Sequence, residues 1–233
     1  MIPTVIHFIW IALGEQLSEL QKLGILSAVK NTNCKVILHT DDPSIQLPGV
    51  ELRVRSFPTH INGVKFDKDE DVKHVWGKRV SHLKDVIRLE ILYEEGGIYS
   101  DLDVLWMRHP WMFLDKKVVI AYQTKAYKTL CNAVMMAEPK QEAIKQYLDW
   151  TVQIYPPKKY WIPANPYKLW KDRPEVTMID KYNFFPRRWT DESPYTFQQL
   201  EKATCVHLYQ SGNLKVEGEV IDLLKKILLV DGF

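Results

Sequence analysis

Cysteine is scarce: 233 residues contain only Cys34, Cys131 and Cys205, and no two of them form a CxxC pair. A set this sparse and odd excludes a disulfide framework and a zinc knuckle. It suits a reducing compartment, with the thiols buried and inert. No apolar stretch approaches the ~18 residues of a membrane span. The opening MIPTVIHFIW lacks the basic n-region, long apolar core and small-residue cleavage site of a signal peptide, so it reads as a buried strand. These absences suit a soluble cytoplasmic chain, or a soluble fragment cut from something larger. Neither sign of charge dominates. With 31 basic and 29 acidic residues the net charge is +2, which excludes a dedicated nucleic-acid binder. There is no internal repeat, low-complexity tract or convincing linker, so one domain over residues 1–233 is expected.

What the chain does contain is ordinary in bulk, at 46% hydrophobic and 26% charged residues, which excludes a mainly disordered protein. A chain of this length buries roughly 70% of its unfolded surface without staples. The unusual feature is eight Trp and eleven Tyr. Aromatics in that number are core, or platforms for flat ligands and sugar rings.

Val5 to Trp10 is a short apolar run that suits a strand buried on both faces, and Glu15 to Lys30 has helical spacing. Lys35 to His39 is a second buried strand and Val50 to Arg55 a third. Strand, helix, strand opens an α/β fold with parallel pairing. Phe57 to His74 is polar and reads as a surface loop. A helix runs from Val80 to the Gly96-Gly97 stop, followed by Ile98 to Trp106 as one strand carrying two aspartates. Val118–Tyr122 and Ala133–Met136 are further strands, and Lys140–Ile154 is an amphipathic helix. Tyr155 to Arg188 mixes Pro, Trp and Tyr and reads as an ordered surface over a site. Ala203–Tyr209 is a last strand and Val220–Leu229 a closing helix.

The sharpest local feature is GGIYSDLD, Gly96 to Asp103. Aspartates two apart on a strand share a face, about 6–7 Å apart. On a buried strand they repel unless a cation lies between them, and a hard divalent ion such as Mg²⁺ or Mn²⁺ accepts such oxygens together with substrate phosphates. The bland reading is an edge strand with solvated acids. Upstream, Asp85 and Arg88 are spaced i, i+3 on the helix that runs into this strand. They are a surface ion pair worth about 0.5 kcal/mol, or part of the same site.

Beyond these residues lies a resemblance. SHLKDVIRLEILYEEGGIYSDLDV, Ser81 to Val104, resembles the signature of DXD-containing glycosyltransferases of GT-A fold, in particular those of family 32, related to the glucosylating domains of clostridial toxins. IPTVIHFIW, about seventy residues earlier, is similar to that family's first strand, usually written IPKIIHQIW. The resemblance implies a mixed, mostly parallel sheet flanked by helices. Its nucleotide-binding half is about 1–110 and its acceptor-side half about 111–233. It implies that Trp10 stacks on the nucleotide base, the bland alternative being a core aromatic. Asp85 and Arg88 would be the catalytic pair, bonding the donor sugar's hydroxyls and the diphosphate. Tyr99 would line the nucleotide pocket or equally be structural, and Asp101 would contact ribose and metal. Asp103 would be the firmer metal ligand, Asn132 would lie near the transferred sugar, and His207 would approach the metal. The sequence departs from the family pattern at Lys140-Gln141, where His-Pro is common, and at Gly212, where Trp is expected.

The resemblance further implies a metal-dependent enzyme using Mn²⁺ or Mg²⁺. It would move a sugar from a nucleotide diphosphate donor, expected to be a UDP-sugar, to a glycan or glycoconjugate hydroxyl, with retention. No nucleic acid and no transmembrane segment enter that reading. The alternatives are a catalytically idle GT-A module that holds a nucleotide sugar or glycan, and a metal-dependent nucleotidyltransferase. The second would want an early glycine-rich basic loop, which is absent. The basic and aromatic residues Lys158, Lys159, Trp161, Lys168, Trp170, Lys171, Arg187, Arg188 and Trp189 form an acceptor surface, a patch for a membrane or nucleic acid, or a solvated rim over core tryptophans. The balanced net charge favours the first and the last.

Overall fold

The structure is a computed structural model that describes residues 1–12, 14–65, 79–126, 128–155, 165–186 and 201–208. Its frame is a seven-stranded sheet. β1 (Val5–Trp10), β2 (Lys35–Thr40), β3 (Val50–Val54), β6 (Gly97–Ser100), β8 (Val118–Thr124), β9 (Thr129–Ala137) and β10 (Val176–Ile179) lie in the order β10-β8-β9-β6-β1-β2-β3. β1 is paired on both sides by parallel neighbours, with Ile6 opposite Val36 of β2 and Ile98 of β6. β9 is antiparallel to both β6 and β8, so the sheet is mixed and mostly parallel, as expected.

Side chains alternate across β1. Ile6, Phe8 and Trp10 join one core cluster, and Ile9 and Ile11 join another. The second cluster is closed by α2 (Arg79–Glu94) and α3 (Glu142–Gln153) through Val86, Ile87, Ile91, Ile144 and Tyr147. The first is closed by α1 (Glu19–Thr32) and by a two-stranded sheet of β7 (Val104–Trp106) with β11 (Cys205–His207). Each fully buried Ile, Leu or Phe in these layers contributes about 1.5–3 kcal/mol. Between β1 and β2 the rings of His7 and His39 meet, Nδ1 to Nε2 at 3.1 Å, fully buried. Burial pushes them down to about 4 and about 3 respectively.

Local chemistry fixes the element ends. α1 starts at Glu19, four residues after the expected Glu15. Ser18 caps it, Gln21 N–H donating to Ser18 Oγ and Ser18 N–H to Gln21 Oε1. α2 ends at the glycine pair, where Gly96 and Gly97 have φ of 68° and 92° and a Cβ on Gly97 would stand 2.9 Å from the Val5 carbonyl. The expected loop after Phe57 contains a short hairpin of β4 (His60–Ile61) and β5 (Val64–Lys65). The aromatic segment contributes a four-residue helix, α4 (Tyr167–Trp170), and β10 at the sheet edge.

One expectation is corrected. Ile98 to Trp106 is two strands in two sheets, joined by a turn at Asp101-Leu102-Asp103 in which Val104 N–H donates to Asp101 C=O at 3.2 Å. The sheet partner β9 extends the chain only to Ser100, opposite Val134, and the chain then leaves the sheet to pair with β11. The helix expected at Val220–Leu229, the acidic cluster at 67–71 and the Ser211-Gly212 element lie outside the described residues.

Candidate active site

The turn between β6 and β7 brings the two aspartates together, and β11, antiparallel to β7, places His207 opposite Val104. One donor atom from each of Asp101, Asp103 and His207 lies within 4.8 Å of the others. Side-chain exposures of 26%, 14% and 10% give a half-open cluster. His207 Nε2 sits 3.1 Å from Asp103 Oδ1, and Asp103 C=O accepts the Leu208 N–H at 2.8 Å, so β11 and the turn are tied at two points. Burial works against a charged His207 ring, but the Asp103 carboxylate outweighs it and holds the imidazole well above its ordinary value. Cys131 of β9 also contacts that ring. Two carboxylates and an imidazole are a donor set that a divalent cation of the Mg²⁺ or Mn²⁺ kind accepts.

Behind the cluster lies a second, drier group on α2. Arg88 is 5% exposed and Asp85 9%. Arg88 Nη2 reaches Asp85 Oδ1 at 2.9 Å and Asp101 Oδ1 at 3.5 Å, and Nη1 donates to Asn132 C=O at 2.7 Å. Asn132 Nδ2 donates to Asp85 Oδ1 at 2.9 Å. The guanidinium lies 4.4 Å from the centre of the Tyr99 ring, and Tyr99 OH donates to Asp101 Oδ1 at 2.6 Å. Burial opposes the charge on Arg88, but Tyr99, Asp101 and Asp85 reverse the balance and raise its pKa. Burial pushes the Tyr99 phenol up. The surface-pair reading of Asp85 and Arg88 is therefore replaced by a desolvated network, because α2 packs this face against β6 and β9.

Asp85, Arg88, Tyr99, Asp101, Asp103, Asn132 and His207 thus form two contiguous groups that share Asp101. Tyr99 is buried, with its phenol on Asp101 and its ring against Arg88. Trp10 is 8% exposed at the end of β1 and belongs to a core cluster, with its indole N–H unpartnered among the described residues. Trp170 is fully buried, donates Nε1–H to Ala143 C=O at 3.0 Å and packs on Tyr147, so it is core and not acceptor surface. Trp161 and Trp189, with Lys158, Lys159, Arg187 and Arg188, lie outside the described residues. A cavity of about 540 Å³ beside β3, lined by Ile45, Gln46, Leu47, Pro48, Val50 and Leu52, includes none of the site residues.

Sequence reasoning missed Tyr147, whose phenol shares a hydrogen bond with the Asn132 amide and whose pKa is pushed up by burial and by Asp85. It also missed Ser100, which accepts Trp106 Nε1–H at 3.1 Å. Tyr147 sits on the apolar stripe of α3 and carries no signal of its own. Ser100 is adjacent to the DxD and could have been found from it.

The sheet and its flanking helices share the GT-A fold of solved glycosyltransferases. Residues 30–126 match the family model described as "Glycosyltransferase sugar-binding region containing DXD motif". The match takes in Asp85, Arg88, Tyr99, Asp101 and Asp103, and leaves Trp10, Asn132 and His207 outside it. Among solved structures, the apo form of the glycosyltransferase GlyE of Streptococcus pneumoniae TIGR4 is similar at a TM-score of 0.58 and 12% identity, over 99% of this chain and 61% of that one. An active-site mutant of LgtC is similar at 0.52 and 11%, over 97% and 95%. The PaToxG glycosyltransferase aligns at 0.49 and 20%, over 71% and 66%. The chain thus spans less than two thirds of GlyE and of PaToxG. A sequence search of curated proteins found no match. Among the described residues no helix is long and apolar enough to cross a membrane.

Proposed function

We propose that the protein is a metal-dependent glycosyltransferase that moves a sugar from a nucleotide diphosphate donor, a UDP-sugar, to a hydroxyl of a glycan or glycoconjugate, with retention at the anomeric carbon. The observation that carries the reading is the convergence of Asp101, Asp103 and His207 beside a buried arginine. Asp103 and His207 would hold the cation most firmly, with Asp101 shared between it and the Arg88 network. A divalent ion bound there supplies Lewis-acid stabilisation for charge on the departing diphosphate. Arg88 fixes the orientation of Asp85 and Asp101 and adds positive potential close to the phosphates. Asp85, held by both Arg88 and Asn132, is the carboxylate presented to the donor sugar's hydroxyls. Trp10, at the end of β1, would stack on the base. In the reaction the bond between the anomeric carbon and the β-phosphate oxygen breaks and the acceptor oxygen forms the new bond. The acceptor's proton passes to the leaving diphosphate, and no side chain is assigned as base.

Placement in family 32, one domain over 1–233 and an acceptor surface in the C-terminal half are parts of the same reading. The test is a screen of nucleotide sugars for Mn²⁺-dependent hydrolysis by the full chain. The expected result is hydrolysis of a uridine donor that falls at least a hundredfold in Asp103→Ala. Hydrolysis surviving that substitution overturns the metal assignment. Nucleotide binding without turnover on any acceptor would instead make the chain an idle module.

A further inference from the structure

We infer that α1, which contributes no side chain to the Asp101/Asp103/His207 cluster, is the element that sets its geometry, with Gly24, Ser27 and Asn31 as positioning residues. The inference rests on the metal reading above and deepens it. β7 is three residues long and, among the described residues, has β11 as its only strand partner. Its other edge would leave backbone groups unsatisfied in a dry interior. Helix α1 occupies that edge. Ser27 Oγ accepts the Trp106 N–H at 2.9 Å while donating to Gly24 C=O at 2.6 Å, and Asn31 Nδ2 donates to Trp106 C=O at 2.8 Å. The spacing 24, 27, 31 is one face of a helix, so a single stripe serves as a substitute strand.

Gly24 marks where the stripe meets the turn. A Cβ there would stand 2.2 Å from the carbonyl oxygen of Leu102, the residue between the two aspartates, and 3.1 Å from the Val104 carbonyl. The neighbours are backbone atoms with no rotamer to yield, so any side chain at 24 must displace either the helix or the turn. The helix is not free to move. Leu20 and Leu23 are locked against Leu105, Val206 and Leu208 in a separate apolar cluster between α1, β7 and β11. The far end of the turn is clamped as well: Trp106 Nε1–H donates to Ser100 Oγ at 3.1 Å, so the residue that α1 holds by its backbone also holds the strand entering the DxD. Displacement at Gly24 therefore falls on Asp101-Leu102-Asp103. Alanine favours helix over glycine, so a merely structural role for this position predicts no penalty at the metal.

The test is Mn²⁺ binding to the full chain, followed by electron paramagnetic resonance of the free ion, in wild type, Gly24→Ala, Ser27→Ala and a control, Ile144→Val, in the core cluster on the opposite face of the sheet. Circular dichroism confirms that each variant is folded at the assay temperature. Gly24→Ala is expected to weaken Mn²⁺ at least tenfold and Ser27→Ala about threefold, with Ile144→Val within twofold of wild type. Folded Gly24→Ala that binds within twofold of wild type overturns the inference. If Gly24→Ala does not fold, Ser27→Ala decides by the same twofold limit. Absence of Mn²⁺ binding by wild type sinks the metal reading and this inference with it, whereas wild-type binding with an unaffected Gly24→Ala sinks this inference alone.

Discussion

Replacing Arg88 with methionine keeps most of the side-chain volume and removes the charge. The substitution strips a donor from the Asn132 carbonyl at 2.7 Å and from Asp85 at 2.9 Å, and leaves Asp85 ionised in a site 9% exposed. Removing one partner of a buried pair costs about 3–5 kcal/mol, because the remaining charge keeps its desolvation penalty. Two features pull toward the lower end. Asp85 retains the Asn132 amide at 2.9 Å, and Asp101 is a quarter exposed. The expected loss is therefore about 3 kcal/mol. With a urea slope of roughly 2–3 kcal/mol/M, the unfolding midpoint falls by about 1 M. Arg88→Met with Asp85→Asn should recover part of that loss, giving a coupling of about 1–2 kcal/mol in a double-mutant cycle. Urea unfolding of the four proteins at pH 7 measures both quantities. A loss under about 1 kcal/mol for Arg88→Met, with coupling under about 0.5 kcal/mol, would show that Asp85 and Arg88 are a solvated surface pair and refute the reasoning.

Acid should destabilise the fold through His7 and His39. Their folded values of about 4 and about 3 lie below the ordinary 6.5, so their contribution is complete above that value and is lost as pH falls toward 4. At pH 5 each ring has forfeited about 2 kcal/mol, roughly 3–4 for the pair, and unfolding of His7→Phe/His39→Leu across pH 5–7 should lack that slope. Gly97→Ala forces a side chain into φ 92° and against Val5 C=O at 2.9 Å, and should cost at least about 2 kcal/mol. Gly63→Ala, at φ 73° with nothing within 4 Å of its Cβ, should cost about 1–2 kcal/mol from backbone strain alone. Equal Tm losses for the two would contradict the close-approach argument. Asn132→Asp places a second carboxylate where an amide now donates to Asp85 at 2.9 Å. It should destabilise by about 1–3 kcal/mol at pH 7, with the deficit shrinking as pH falls and one acid takes a proton. A deficit independent of pH would argue against carboxylate repulsion.

The sheet was legible because its strands are period-defying apolar runs, VIHFIW, KVILH and the strands of β8 and β9, that only a two-sided core accepts. The DxD stood out as well, together with Asp85 and Arg88 at helical spacing. The form of the DxD did not. Apolar neighbours on both sides made Ile98 to Trp106 look continuous, and only the tertiary pairing of β7 with β11 explains why the chain leaves the sheet at Asp101. The burial of Arg88 was likewise hidden, since it depends on β9 and on Tyr147 from α3, distant in the sequence. Gly24 looked like an ordinary helix residue. Nothing local records that a carbonyl from residue 102 lies against it.

Whether Asp101, Asp103 and His207 hold a divalent cation for a nucleotide is tested most directly by thermal unfolding with Mn²⁺ and uridine diphosphate together, the nucleotide at about a hundred times the dissociation constant it has in the presence of Mn²⁺. Ligand linkage at that ratio adds about 2.7 kcal/mol, which for a chain of this size raises Tm by on the order of 5–10 °C. The expected result is that rise for wild type, little of it with either ligand alone, and its loss in Asp103→Ala and His207→Ala. No rise in wild type, or an equal rise in Asp103→Ala, would contradict the metal-centred site.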